Sequence, residues 1–199
     1  MRRIILSCLI LFFIQLAKAQ SWSPIDSIKL SLKNKPNLIL GMDKKNSYVV
    51  GVPVNFFGIR GGYDFGKLSL LGGFYSASTK KDGTDNTYDY LILGAICEYH
   101  WFKTHRFRVY QTIQTGIGTV DIKEIDNITK EIQYKSNMIL PIETGVTGNL
   151  RFLKYFGITA GIGIRTSLTP DTYYTAPYYT YGIMVFTKDL IKDIRALNK

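Results

Sequence analysis

From about residue 36 to residue 188 the chain alternates apolar and polar or small side chains with a period of two, the signature of strands with one greasy face. In 156–165, Phe156, Ile158, Ala160, Ile162 and Ile164 oppose Gly157, Thr159, Gly161, Gly163 and Arg165. In 88–101, Leu91, Leu93, Ala95, Cys97, Tyr99 and Trp101 oppose Tyr90, Ile92, Gly94, Ile96, Glu98 and His100. The split recurs in 37–43, 57–65, 67–76, 107–117, 138–148 and 179–187, which predicts eight strands. In 67–76 the bulky face is Leu68, Leu70 and Phe74.

The links predict how these strands are joined. Phe65-Gly66, Lys103 to His105 and Leu150 to Phe152 are tight, whereas 44–51, 79–87, 121–132 and 166–176 are longer and polar. Alternating short and long links are the plan of an outer-membrane barrel, with tight periplasmic turns and longer external loops. Residues opposed across an antiparallel pair must share a face. The tight turns put Asp64 opposite Lys67, His100 opposite Arg108 and Glu143 opposite Thr159, polar against polar each time.

Two flanking segments read differently. Met1 to Ala19 has Arg2 and Arg3, an apolar run from Ile4 to Leu16 and a small-residue end at Ala17 to Ala19, as in a secretory signal peptide. The run of about 13 residues is short of the roughly 20 that a spanning helix needs. Residues 20–35 predict a short helix with Ser23 as N-cap, Pro24 at its first position, and Ile25, Ile28 and Leu32 at helical spacing. The tail after Lys188 carries Leu190, Ile194 and Leu197 at the same spacing and predicts a second helix over 189–199. Eight strands place both helices on the periplasmic side.

Glycine decides which face meets lipid. Twelve of the 18 glycines fall on the small or polar face, which suits a narrow interior and not a solvated exterior. The bulky face has no charge along its central stretch, as about 25 Å of hydrocarbon requires. Tyr63, Tyr75, Tyr99, Trp101, Tyr173, Tyr174, Tyr178 and Tyr179 collect toward segment ends, where aromatic belts lie. The expected fold is all-β: an eight-stranded antiparallel transmembrane β-barrel over 36–188 with short terminal periplasmic helices. A soluble lipocalin-like binder, with its apolar face inward, is the competing reading.

The signal peptide, the short helix, Lys35-Pro36-Asn37-Leu38 leading to Asp43 and Asn46-Ser47-Tyr48, and the glycine-rich hairpins that follow resemble the small outer-membrane β-barrel domain proteins of Gram-negative bacteria. The resemblance spans about residues 24–188 and implies residence in the outer membrane. Such barrels often end on a terminal aromatic; here the last strand reaches Phe186 and a tail follows.

The formal charge of +10 shrinks once the leader is discounted, because Arg2, Arg3 and Lys18 leave with it and 22 basic residues then face 15 acidic ones. Lys67, Lys103, Arg106, Arg151 and Lys154 flank tight turns, where anionic headgroups lie. Aromatic and basic residues do not interleave in one groove, so nucleic acid is not an expected partner. Outer-membrane lipid is, together with other outer-membrane or periplasmic proteins. With two His and two Cys, one of them in the leader, no metal, cofactor or disulfide scaffold is expected.

The candidate site is the set of charges on the inward face: Arg60, Asp64, Glu98, His100, Arg108, Glu143 and Arg165. Buried charges persist when paired, so these predict a salt-bridge network that closes the lumen, with Glu98 near Arg108 across one hairpin. A selective pore is the functional alternative. A lipid-hydrolysing enzyme would need His beside Ser or Asp, and no Ser follows His100 at short spacing. The expected protein is therefore non-enzymatic, a structural or interaction component, with a narrow pore or transport-complex subunit as the second reading.

Overall fold

The computed structural model describes residues 24–49, 52–80, 86–125, 132–169 and 174–197. The predicted leader and the Ser23 cap lie outside these. A helix, α1 (Pro24–Leu32), precedes nine strands: β1 (Asn37–Val49), β2 (Val52–Asp64), β3 (Leu68–Lys80), β4 (Thr87–Lys103), β5 (Phe107–Ile125), β6 (Ile132–Ile139), β7 (Pro141–Arg151), β8 (Phe156–Ser167) and β9 (Ala176–Phe186). Helix α2 (Thr187–Leu197) follows without a linker.

All pairings are antiparallel, and β1 pairs with β9 while β4 pairs with β5, so the sheet closes on itself. The nine segments make eight barrel strands. β6 and β7 both pair with β5, and Gly118↔Ile139 and Thr115↔Ile142 keep one register across the gap. Pro141 stands at that gap; it has no N–H to give, so the ladder is interrupted without the strand changing course.

Inside and outside fall where the alternation places them. Leu40, Phe57, Ile59, Leu93, Ile113, Ile117, Ile162 and Ile183 are 45–70% exposed around the whole circumference. Their interior neighbours Phe56, Ile92, Glu98, Gln114 and Arg165 are at most 1% exposed. Leu68 departs from this: it holds an outward position but is 4% exposed, at the end of β3, the strand that α1 touches.

Three expectations change in detail. The span 44–51 is no long loop, since β1 runs to Val49 and Val49 opposes Val52. The span 121–132 is strand at both ends, since β5 continues to Ile125 and β6 starts at Ile132. The opposed pairs are Asp64↔Ser69, His100↔Tyr110 and Glu143↔Arg165. Each differs from the expected pair by an even number of residues, which is why every face is kept while the register is not. Enlarged or displaced turns and a bulge cause the slips. Phe65 donates its N–H to the Leu68 carbonyl at 2.7 Å around Gly66, whose φ of 104° is left-handed. A bulge falls between His100 and Phe102, and four residues, 152–155, join β7 to β8.

Glycine on the inner face makes room for tyrosine. Gly58 lies opposite Tyr75, and a Cβ on it would stand 2.1 Å from that ring. Gly163 lies opposite Tyr178, where a Cβ would stand 2.6 Å from the phenol. Tyr75, Tyr174 and Tyr178 are thus lumen residues, 2%, 1% and 7% exposed, and not members of an aromatic belt. Tyr63 and Trp101, 53% and 49% exposed, do face outward near strand ends.

Candidate functional site: the charged lumen

The inward charges stack in three levels, starting from the rim that carries both helices. At that rim Asp64, the last residue of β2, accepts from Lys103 Nζ at 2.7 and 2.8 Å and from Arg108 Nη1 at 3.3 Å. The Gly66 N–H closes onto the same carboxylate at 2.8 Å, and Lys103 also donates to the Gly66 carbonyl at 2.7 Å. The turn and the ion pair therefore fix each other.

One level further in, Arg60 on β2 reaches across β3 to Glu98 on β4, donating through Nη1 to Oε1, and its Nη2 donates to the Tyr110 hydroxyl at 3.2 Å. These side chains are 7% and 0% exposed. Glu98 is therefore not the partner of Arg108, as hairpin proximity suggests; Arg108 belongs to Asp64. Asp43 joins this level through the Tyr75 hydroxyl at 3.5 Å.

The third level centres on Glu143. Lys45 Nζ donates to its Oε2 at 2.6 Å and to Gln114 Oε1 at 2.7 Å, and the Tyr174 hydroxyl donates to its Oε1 at 2.9 Å. Arg165 Nε stands 3.7 Å from the same carboxylate. Its guanidinium is packed against the rings of Phe56, Tyr178 and Tyr174, at 4.4, 5.0 and 5.3 Å, so π faces meet a charge that one carboxylate must share. Beyond this level the interior turns apolar: Val54, Phe56, Tyr90, Ile92, Val120 and Ile139 form a cluster with Tyr174. Phe56 and Tyr90 meet edge-on at 5.3 Å.

The space left among Asp43, Lys45, Arg60, Thr112, Gln114 and Thr147 is a cavity of about 10 Å³. That is at most one water. Charge is nearly balanced among the described residues: Lys45, Arg60, Lys103, Arg108 and Arg165 face Asp43, Asp64, Glu98 and Glu143. All seven predicted residues line the lumen. Lys45, Lys103 and Asp43 were not foreseen as members.

His100 has the partner its sequence neighbours did not offer. Ser69 Oγ lies 3.0 Å from His100 Nε2 across the β3–β4 pair. Ser69 is 0% exposed, and His100 Nδ1 has no hydrogen-bond partner to orient the ring as a base. A nucleophile needs both access and an oriented base, and this Ser–His pair has neither. Among the described residues no group of three His, Cys, Asp or Glu is placed to hold a metal.

At the same rim, α2 is fastened to the barrel. Thr187 Oγ1 donates to the Leu38 carbonyl, and Arg151 Nη2 donates to Asp189 at 2.6 Å. Asp193 accepts from Lys154 and from the Tyr155 hydroxyl. These bonds, that from Lys154 first, hold the Asp193 carboxyl below its usual range; the Asp193 bond raises Lys154 and Tyr155 above theirs. The other helix, α1, turns Ser27 and Ser31 inward, 3% and 4% exposed, and leaves Ile25 and Leu32 outward. At its C-terminal end Asn34 Nδ2 donates to the Phe65 carbonyl at 2.9 Å.

No family model and no curated protein sequence matches the chain. Solved structures do. A major outer membrane protein from Thermus thermophilus superposes with a TM-score of 0.54 at 10% identity, covering 74% of this chain and 98% of that one. Neisserial surface protein A superposes with a TM-score of 0.52 at 13% identity, covering 76% and 96%. At such identities the likeness is one of fold: the chain has the fold of the small bacterial outer-membrane β-barrels, as its greasy exterior and filled interior require.

Proposed function

We propose that the protein resides in the outer membrane as a closed, non-enzymatic barrel, a structural or interaction component and not a channel. The observation that carries this reading is the filled lumen. Three levels of paired charges and an apolar plug fill it, and the space among Asp43, Lys45, Arg60, Gln114 and Thr147 is about 10 Å³. A hydrated ion needs a continuous path, and eight-stranded barrels are just wide enough for side chains to fill them. The exposed belt of Leu, Ile and Phe supports the membrane address, because a soluble protein rarely leaves so large an apolar surface uncovered.

In this reading the rim with both helices faces the periplasm. Short turns and both helices gather there, and the strand ends that flank 81–86, 126–131 and 168–175 lie at the opposite rim. Binding to other proteins then falls to the connections and helices, since the wall meets lipid and the interior is occupied. Swelling of proteoliposomes in a small sugar, with a general porin as positive control, tests the closure. The expected rate equals that of protein-free vesicles; porin-like swelling would overturn the reading.

A further inference from the structure

We propose that α2 is a membrane-surface anchor: it lies along the headgroup layer beside the barrel, with Leu190, Ile191, Ile194 and Leu197 among acyl chains and Lys188, Lys192 and Arg195 at anionic phosphates. The proposal rests on the membrane residence argued above.

The helix has little freedom to be elsewhere. Its first residue follows Phe186, the end of β9, directly, and Thr187 is bonded to β1, so the helix starts at the edge of the barrel wall. At 1.5 Å per residue its 11 residues span about 16 Å. Rotation about the axis is also fixed. Asp189 and Asp193, four residues apart and so on one face, both engage the β7–β8 turn through Arg151, Lys154 and Tyr155. At about 100° per residue, Leu190, Ile191, Ile194 and Leu197 then form one arc beside the acidic face. Lys188, Lys192 and Arg195 form another.

Among the described residues that apolar arc is largely uncovered. Ile191, Ile194 and Leu197 are 40%, 49% and 85% exposed. The strand that α2 touches, β1, carries the outward residues Leu38 and Leu40, and its neighbour β9 carries Ile183. The arc is thus an extension of the lipid-facing wall at its rim. Two features argue for lipid and against a protein partner: this continuity, and the cationic arc, which matches an anionic headgroup layer. The same acid pair that docks the helix removes negative charge from its free faces, because both carboxylates are spent on Arg151 and Lys154.

Site-directed spin labelling of the full chain tests this, with Cys8 and Cys97 replaced by Ser. Labels at I194C, A196C and I183C are read in vesicles of phosphatidylethanolamine with phosphatidylglycerol. Collisions with oxygen report lipid, and collisions with a water-soluble nickel chelate report water. The expected result is a label at 194 that resembles 183, oxygen-accessible and shielded from nickel, and a label at 196 that is several-fold more open to nickel. Omitting phosphatidylglycerol, or combining K188Q, K192Q and R195Q at these exposed positions, should raise nickel collisions at 194 toward those at 196. A label at 194 as open to nickel as 196, or shielded from both reagents as in a protein interface, would overturn the proposal, as would indifference to the anionic lipid. The label at 183 keeps the two claims apart: if it is not lipid-exposed, the membrane reading itself fails.

Discussion

Arg60 and Glu98 join β2 to β4 through the lumen, and both side chains are almost fully enclosed, at 7% and 0% exposed. E98Q removes the carboxylate charge with little change of shape and leaves a guanidinium in the interior with the Tyr110 hydroxyl at 3.2 Å. Breaking one partner of a buried pair costs about 3–5 kcal/mol, chiefly because the survivor is left uncompensated. Tyr110 and the nearby Asp43 soften that loss, so about 3 kcal/mol is expected. With a urea slope of about 2 kcal/mol per molar, the unfolding midpoint should fall by roughly 1.5 M. Reversible unfolding of the reconstituted barrel, followed by tryptophan emission with Trp101 at the rim as reporter, measures this. Replacing both partners, R60M with E98M, removes the charge along with its partner and should recover most of the loss, which gives a coupling of several kcal/mol in the cycle. A single variant within about 0.5 kcal/mol of the parent would refute the claim that this pair is enclosed and mutually required. So would a double variant as unstable as the sum of the singles.

G58A should cost about 1–3 kcal/mol, since its Cβ would fall 2.1 Å from the Tyr75 ring; adding Y75A should make the pair less unstable than the sum, read by the same unfolding assay. L93R, on the outer wall at 60% exposure, should destabilise the barrel in bilayers by about 2–4 kcal/mol. A change near zero there would favour a solvated wall. The docking of α2 should be pH-dependent in a stated direction. Asp193 is depressed by Lys154 and Tyr155, so its contribution is full above the ordinary carboxylate value and is lost as pH falls through its lowered one. Lys154 is raised, so its contribution is full below the ordinary lysine value and is lost as pH rises through its elevated one. Amide exchange in 189–197, corrected for its intrinsic dependence on pH, should therefore be slowest between about pH 4 and pH 10 and quicken on either side, and D193N should weaken the acid limb.

The barrel was legible because alternation is a local signal. A strand with one face in lipid and one in a tight interior writes its period into residues such as Ile158 to Arg165 without reference to any other strand. Registers were less so: parity survives a change of turn length by two, and nothing in Lys103 to His105 announces the bulge at Trp101. The network was half visible. Arg60 and Glu98 stand out as charges in apolar strands, but their pairing skips over β3 and exists only once the sheet closes. Lys45 was hidden by its neighbours, because Lys44-Lys45-Asn46-Ser47 reads as a polar loop, and Asp43 stands at that loop's edge. In the fold that segment is a strand, with Asp43, Lys45 and Ser47 inward. Tyr75 and Tyr178 were misplaced for a related reason, since the glycines that make room for them, Gly58 and Gly163, lie on neighbouring strands.

Closure of the lumen is the claim on which the rest depends, and single-channel recording of the purified full chain in planar bilayers measures it without intermediaries. A filled interior predicts a current at the bilayer baseline at either polarity, with no stepwise events. Reproducible unitary steps well above that baseline, scaling with protein added and absent from detergent controls, would contradict it.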